Sequence, residues 1–161
     1  MRSLILLIRG LFILLVSLNL HSAIEDYSSN PLVPTSSNYG ETGLFEIPTA
    51  RFMDEGTLKF GISSSYPNSF TYFAASPFSW AEAVYRYTEL KNQKYGPFNY
   101  SGNQTLKDKG FDLKLKLLDE SYYLPAVALG FKDVAGTGRF SSEYIVGSKR
   151  FGDLDLTMGI G

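Results

Sequence analysis

From residue 56 onward, apolar side chains recur at every second position, and that period dictates extended chain. Leu58, Phe60 and Ile62 alternate with Lys59, Gly61 and Ser63. Phe111, Leu113, Leu115 and Leu117 alternate with Asp112, Lys114 and Lys116. Val127, Leu129 and Phe131 interleave with Ala128, Gly130 and Lys132, and Leu154, Leu156, Met158 and Ile160 with Asp155, Thr157 and Gly159. Successive strand side chains face opposite sides, so each run has one apolar face and one polar or small face. A helix would scatter the same residues around its cylinder. Residues 80–89 and 141–150 alternate less cleanly and 70–75 only weakly, which brings the expectation to about seven strands.

The spacers suggest how these strands connect. Pro67-Asn68, Ser76-Pro77 and Gly152-Asp153 carry turn chemistry, and 119–122 reads as a short link. Residues 90–110 form a long polar stretch and 133–139 one of intermediate length. Counted along the chain, the longer links fall at one end of the sheet and the short ones at the other. Pro67-Asn68 is the exception. Outer-membrane barrels show this asymmetry, with tight periplasmic turns and longer external loops. Segments of about ten residues match the ~9–11 that a tilted spanning strand needs. Tyr66, Tyr72, Phe73, Phe78, Tyr87, Tyr122, Tyr123, Phe140, Tyr144 and Phe151 are read near segment ends, a placement that suits interfacial aromatic girdles. A soluble antiparallel sandwich or barrel alternates equally well with its apolar face inward. Periodicity leaves both readings open, and the leader described next, with the loops and the tyrosines, favours the membrane.

The chain opens with Arg2, an apolar stretch from Leu4 to Leu20 broken at Arg9-Gly10, and small residues Ser22 and Ala23. This is the layout of a secretory signal peptide over 1–23, cleaved on export and too short in its apolar core to span as a helix; an uncleaved N-terminal anchor is the alternative. Residues 24–42, rich in Ser, Asn and Pro, read as an irregular lead-in, and 43–161 as the β domain.

The chemistry available is narrow. The 161 residues contain no cysteine, which excludes disulfides, thiol nucleophiles and a lipid-bearing cysteine within them. The single histidine, His21, lies in the leader, which leaves no histidine base for a triad and few ligands for a transition metal. A formal net charge of −1 gives no basic bias toward nucleic acid. Asp119-Glu120 sits in a link, and Gly136-Thr137-Gly138 precedes no helix, so it lacks the context of a phosphate cradle. No catalytic, metal or cofactor site is expected. Glu82 with Glu143 is the one acidic pair on polar faces that could serve a polymer-cleaving enzyme.

If the Leu, Phe and Val rows face lipid, then Lys59, Glu82, Arg86, Asp112, Lys114, Lys116, Lys132, Glu143 and Lys149 point into the barrel. There they would line a hydrated lumen and contact a polymer. The plainer alternative is that they pair across strands as the wet face of a sheet. Tyr95, Phe98 and Tyr100 lie in the long polar stretch, where they could stack on sugars in an external loop.

Three stretches, GLFEIPTARFMDEGTLKFGIS (43–63), KDKGFDLKLKLLDESYYLPAVALGFKDVAGTG (107–138) and FSSEYIVGSKRFGDLDLTMGIG (140–161), resemble the N-terminal part of the YjbH/GfcD family. These are outer-membrane proteins linked to bacterial exopolysaccharide and capsule production. The resemblance implies an all-β, antiparallel outer-membrane-type barrel. It would work without catalysis in exopolysaccharide secretion or assembly, alongside outer-membrane lipid, the polymer and other exopolysaccharide-cluster proteins. The alternative is a soluble periplasmic β-domain that binds polysaccharide. Family chains are several times longer, some with a lipobox cysteine. Seven strands fall short of the eight in the smallest usual barrels. The final run is still alternating at Gly161. The expectation is therefore an incomplete, N-terminal portion of a larger barrel.

Overall fold

The computed structural model describes residues 33–161. The leader read at 1–23 and the first part of the lead-in lie outside the described residues. Two two-residue strands, β1 (Gly43–Leu44) and β2 (Ile47–Pro48), form a small hairpin. Seven strands follow: β3 (Thr57–Ser65), β4 (Asn68–Phe78), β5 (Ala81–Lys94), β6 (Thr105–Leu118), β7 (Ala126–Lys132), β8 (Ser142–Phe151) and β9 (Leu154–Ile160). They form one sheet in sequence order, with antiparallel neighbours from β3 to β8. A four-residue helix, α1 (Phe98–Ser101), sits between β5 and β6. The chain forms two compact units. One is Pro34–Ser148 with Thr157–Gly161, and the other, among the described residues, is Val33 with Lys149–Leu156. In the smaller one, Gly152 supplies the positive φ of a turn and its carbonyl accepts from Arg150 Nε at 2.9 Å.

All seven alternating runs become sheet strands, but several connections differ from the sequence expectation. Ser76-Pro77 lies inside β4, and the turn comes at 79–80. The β4–β5 register shifts between Ala75 and Phe78, which places the proline, unable to donate to a ladder, at an irregularity. The link after β6 runs from 119 to 125 rather than to 122. The polar stretch after Glu89 is mostly strand: β5 continues to Lys94 and β6 starts at Thr105, so the loop is 95–104. Backbone pairing carries the ladder beyond the apolar run that marks it. The sheet itself begins at Thr57, so residues 43–56 stay outside it with the β1–β2 hairpin.

One face of the larger unit is apolar and exposed. Leu58, Phe60 and Ile62 on β3, Phe73 on β4, Phe111 and Leu117 on β6, Ile145 on β8, and Met158 and Ile160 on β9 all stand in the open. Phe60 keeps 72% of its surface and Met158 83%, values of side chains that the fold leaves bare. The opposite face is covered. It carries Ala74, Val84, Arg86, Asp112, Lys114, Ala128 and Val146, each at most 4% exposed. The lead-in lies against this covered face and forces the sheet to curl. Adjacent residues Glu41 and Thr42 bond to β8 and β3 respectively, through Tyr144 and Lys59. In a flat sheet those strands would stand on the order of 24 Å apart at the usual strand spacing.

Two tyrosines read as girdle residues, Tyr72 and Tyr144, instead lie on the covered face. Each sits over a glycine directly across the ladder, Gly61 and Gly130. A Cβ on Gly130 would stand 2.0 Å from the Tyr144 ring, and one on Gly61 would stand 2.3 Å from the Tyr72 hydroxyl. The absent side chain is the seat of the ring. Gly130→Ala should therefore expel Tyr144 and destabilise the sheet by about 1–3 kcal/mol, read as a lowered urea midpoint.

Candidate functional site

The covered face is where the chain concentrates ionisable groups, and the lead-in makes their burial tolerable. Glu82, the second residue of β5, is fully buried. Its Oε1 accepts from Thr42 N at 2.8 Å, Thr42 Oγ1 at 3.0 Å and Lys59 Nζ at 3.0 Å. Its Oε2 lies 2.9 Å from Lys114 Nζ. Lys114 in turn donates to the carbonyls of Thr42 and Arg51, both at 2.9 Å. With the Thr49 carbonyl at 3.5 Å, all three ammonium protons have a backbone acceptor, and the Phe52 ring lies 4.6 Å from the charge. Removing a buried ion from water costs several kcal/mol unless its lone pairs and protons are matched. Here the backbone of residues 42–51 does that matching.

One level along the strands, Arg86 and Asp112 form a two-pronged pair, Nε to Oδ2 and Nη2 to Oδ1, each 3.1 Å. The guanidinium lies between the rings of Tyr39 and Phe140, 5.5 and 5.4 Å from their centroids. Asp112 Oδ1 also accepts from the backbone of Asp133 at 2.8 Å, which ties the loop after β7 to β6. Burial raises the Tyr39 phenol above its ordinary value, and the nearby Glu46 carboxylate adds to the shift. A third group joins Lys132 of β7 to Glu41 at 3.0 Å, and Tyr144 of β8 donates to the other oxygen of the same carboxylate.

Of the residues read from the sequence as lumen-facing, Lys59, Glu82, Arg86, Asp112, Lys114, Lys116 and Lys132 share the covered face. Glu143 does not. It stands exposed on the opposite side from Tyr144, and Lys149 falls at the same parity along β8. The weaker alternation of that strand allowed the wrong phase. The shift separates Glu82 from Glu143 and removes the convergence an acidic cleavage pair would require. Tyr39, Glu41, Thr42 and Arg51 lie against this face, so its charged groups meet an earlier segment of the chain. Lys116 lies at the edge of a polar groove of about 400 Å³ with Arg51, Phe52, Asp119 and Glu120. There it pairs with Asp119 at 2.9 Å while Arg51 meets Glu120 at 2.6 Å. Tyr95, Phe98 and Tyr100 are exposed in the 95–104 loop, with the two tyrosine rings stacked at 6.5 Å.

Sequence reasoning missed Glu41, Thr42 and Tyr144 as parts of the network. Their partners lie as far as 103 residues away, beyond any local pattern. One signal was present: the polar faces of β3 to β7 carry more lysine and arginine than carboxylate, so a counter-anion had to come from elsewhere. Among the described residues, no group of His, Cys, Asp and Glu could hold a metal ion. Glu82→Leu should strand two buried lysines and cost about 3–5 kcal/mol. It should also loosen residues 42–51, seen as faster tryptic cleavage at Arg51.

The fold and its buried network can be compared with known proteins. The family described as "Exopolysaccharide biosynthesis protein YbjH" matches residues 35–161. A protein of Escherichia coli strain K12 named "Uncharacterized lipoprotein YjbH" is 44% identical over 134 residues, which is 81% of this chain. The match spans 19% of that relative's length. No solved structure matches. The family match runs through every strand and through the lead-in from Thr35, and on that extent the chain belongs to the YjbH family of exopolysaccharide biosynthesis proteins.

Proposed function

We propose that this chain builds part of the wall of an outer-membrane β-barrel that supports exopolysaccharide secretion or assembly and catalyses no reaction itself. The observation that carries the reading is the inverted distribution of polarity. Ion pairs fill the covered face, while Leu, Phe, Ile and Met rows stand in the open. In water, that outward face would be a large uncovered apolar patch. In a bilayer it is the lipid-facing side of a barrel wall.

Two further features agree. At the end carrying the 79–80 turn, Phe78 and Trp80 stack at 5.2 Å, and Tyr122 and Tyr123 meet edge to face at 4.4 Å beside them in sequence order of turns. Exposed aromatics of this kind suit a headgroup belt. The outer strands of the sheet order are β3 and β9. Open strand edges are not tolerated in hydrocarbon. On this reading further strands of a larger protein pair with both edges, in keeping with the 19% share of the relative. The relative's name as a lipoprotein supports export and membrane association, with a cleaved leader as the route. Exopolysaccharide and other proteins of its production are the partners this function requires.

A second reading has its own observation. The stacked, exposed Tyr95 and Tyr100 present flat faces on which sugars could rest, as a soluble polysaccharide-binding domain would require. Replacing both by alanine should then abolish glycan retention in a protein that needs no detergent.

Cell fractionation followed by gel mobility with and without boiling separates the two readings. The barrel reading expects an outer-membrane protein whose mobility shifts on boiling, and a freely soluble periplasmic protein with no shift would sink it. Leu113→Arg, placed outward between Ala83 and Phe131, should cost about 2–4 kcal/mol near the bilayer midplane and reduce the heat-shiftable fraction.

A further inference from the structure

We infer that Lys132 and Tyr144 form a binding site for a carboxylate of an acidic polysaccharide, and that Glu41 occupies it as a surrogate carried by the chain itself. The inference rests on the polymer-handling role proposed above and narrows the polymer to one bearing uronate-type groups.

Most charged groups of the covered face satisfy one another on the sheet alone. Arg86 and Asp112 are both sheet residues and complete a two-pronged pair. Glu82 is also a sheet residue and sits between Lys59 and Lys114. Asp108, further along β6, accepts from Thr137. Lys132 differs, since the carboxylate facing it at 3.0 Å belongs to the lead-in. Tyr144 directs its hydroxyl at the second oxygen of that same carboxylate. An ammonium in ion-pair contact with one oxygen and a phenol O–H donating to the other form a carboxylate receptor on two neighbouring strands.

The surroundings suit a sugar acid. Lys132 Nζ lies 4.2 Å from the Tyr39 ring centroid and 5.7 Å from that of Tyr144, so the charge is flanked by aromatic faces. A cavity of about 260 Å³ lies against the same two residues, with Ile47, Pro48, Val146 and Gly159 among its walls. Its lining is mostly apolar and carries one cation, Lys132, and one carboxylate, Glu143; the apolar walls match the CH faces of a uronate ring and Lys132 matches its charge. Glu41 reaches the receptor from a tight turn, closed by Ser37 N donating to Glu41 O at 2.8 Å with Gly40 at φ +99°. Withdrawal of that turn lets an incoming carboxylate take the same two donors, with no net change in paired charge.

The test uses the detergent-solubilised full-length protein, oligogalacturonate as probe and a neutral glucan as control. Wild type should bind oligogalacturonate weakly, because the site is self-occupied. Glu41→Gln should bind about tenfold more tightly as the competent state becomes populated. Adding Lys132→Met to that variant should abolish binding, and neutral glucan should bind to none of them. No gain in Glu41→Gln, or equal binding of the neutral glucan, overturns the inference. If Glu41→Gln loses the mobility shift on boiling, Glu41→Asp keeps the charge but shortens its reach, and absence of any gain there is equally fatal. A heat-shiftable outer-membrane protein without uronate binding sinks this inference alone. Uronate binding by a protein soluble without detergent sinks the membrane reading alone.

Discussion

Burial of the Glu82–Lys114 pair is the constraint around which the larger unit is arranged. Both side chains are essentially without solvent, and neither could remain ionised there on the strength of the other alone. Thr42 donates twice to Glu82, and the carbonyls of Thr42 and Arg51 accept from Lys114. To deliver those groups, residues 42–51 must run across the face of the sheet. For Glu41 and Thr42 to reach strands from β3 to β8, the sheet must curl around them. The position of the lead-in, the curvature and the dryness of the polar face thus follow from one electrostatic requirement.

The same arrangement turns the usual soluble pattern inside out. A water-soluble sheet hides its leucines and shows its lysines, whereas here lysines are enclosed and Phe60, Ile62 and Met158 are bare. What replaces a hydrophobic core is partly ionic and partly steric. Tyr72 over Gly61 and Tyr144 over Gly130 join neighbouring strands by filling space that a side chain would otherwise take. These seats also help fix register, because a slip of one residue would move each tyrosine off its glycine and onto the opposite face. Tyr144 serves both systems, with its ring on the glycine and its hydroxyl on Glu41.

Much of the fold was legible in the sequence because strand periodicity is a local property. Each of β3, β6, β7 and β9 shows in its own residues which side chains share a face. The pairing order followed from short links between neighbours. Legibility failed where backbone hydrogen bonding, not side-chain polarity, sets the limits. Polar residues 91–94 and 105–110 extend β5 and β6 without any apolar signal. Pro77 reads as a turn but is accommodated within β4 by a shift in register. The phase of β8 was misread because Glu143 and Lys149 are polar residues on a face that elsewhere is apolar.

The sequence by itself determined the all-β class, the seven strands and the side of each clean strand that is apolar, since alternation along a chain depends only on nearest neighbours. It also supplied the family, through residues spread along the β domain. Only the tertiary structure decided what fills the space inside the curl. The partners of Glu41, Thr42 and Arg51 are distant in sequence, and a Ser-, Asn- and Pro-rich segment shows no pattern of its own. The charged face that alternation predicted is therefore covered by an earlier segment of the chain. Ion pairing across long separations, invisible to periodicity, made that choice.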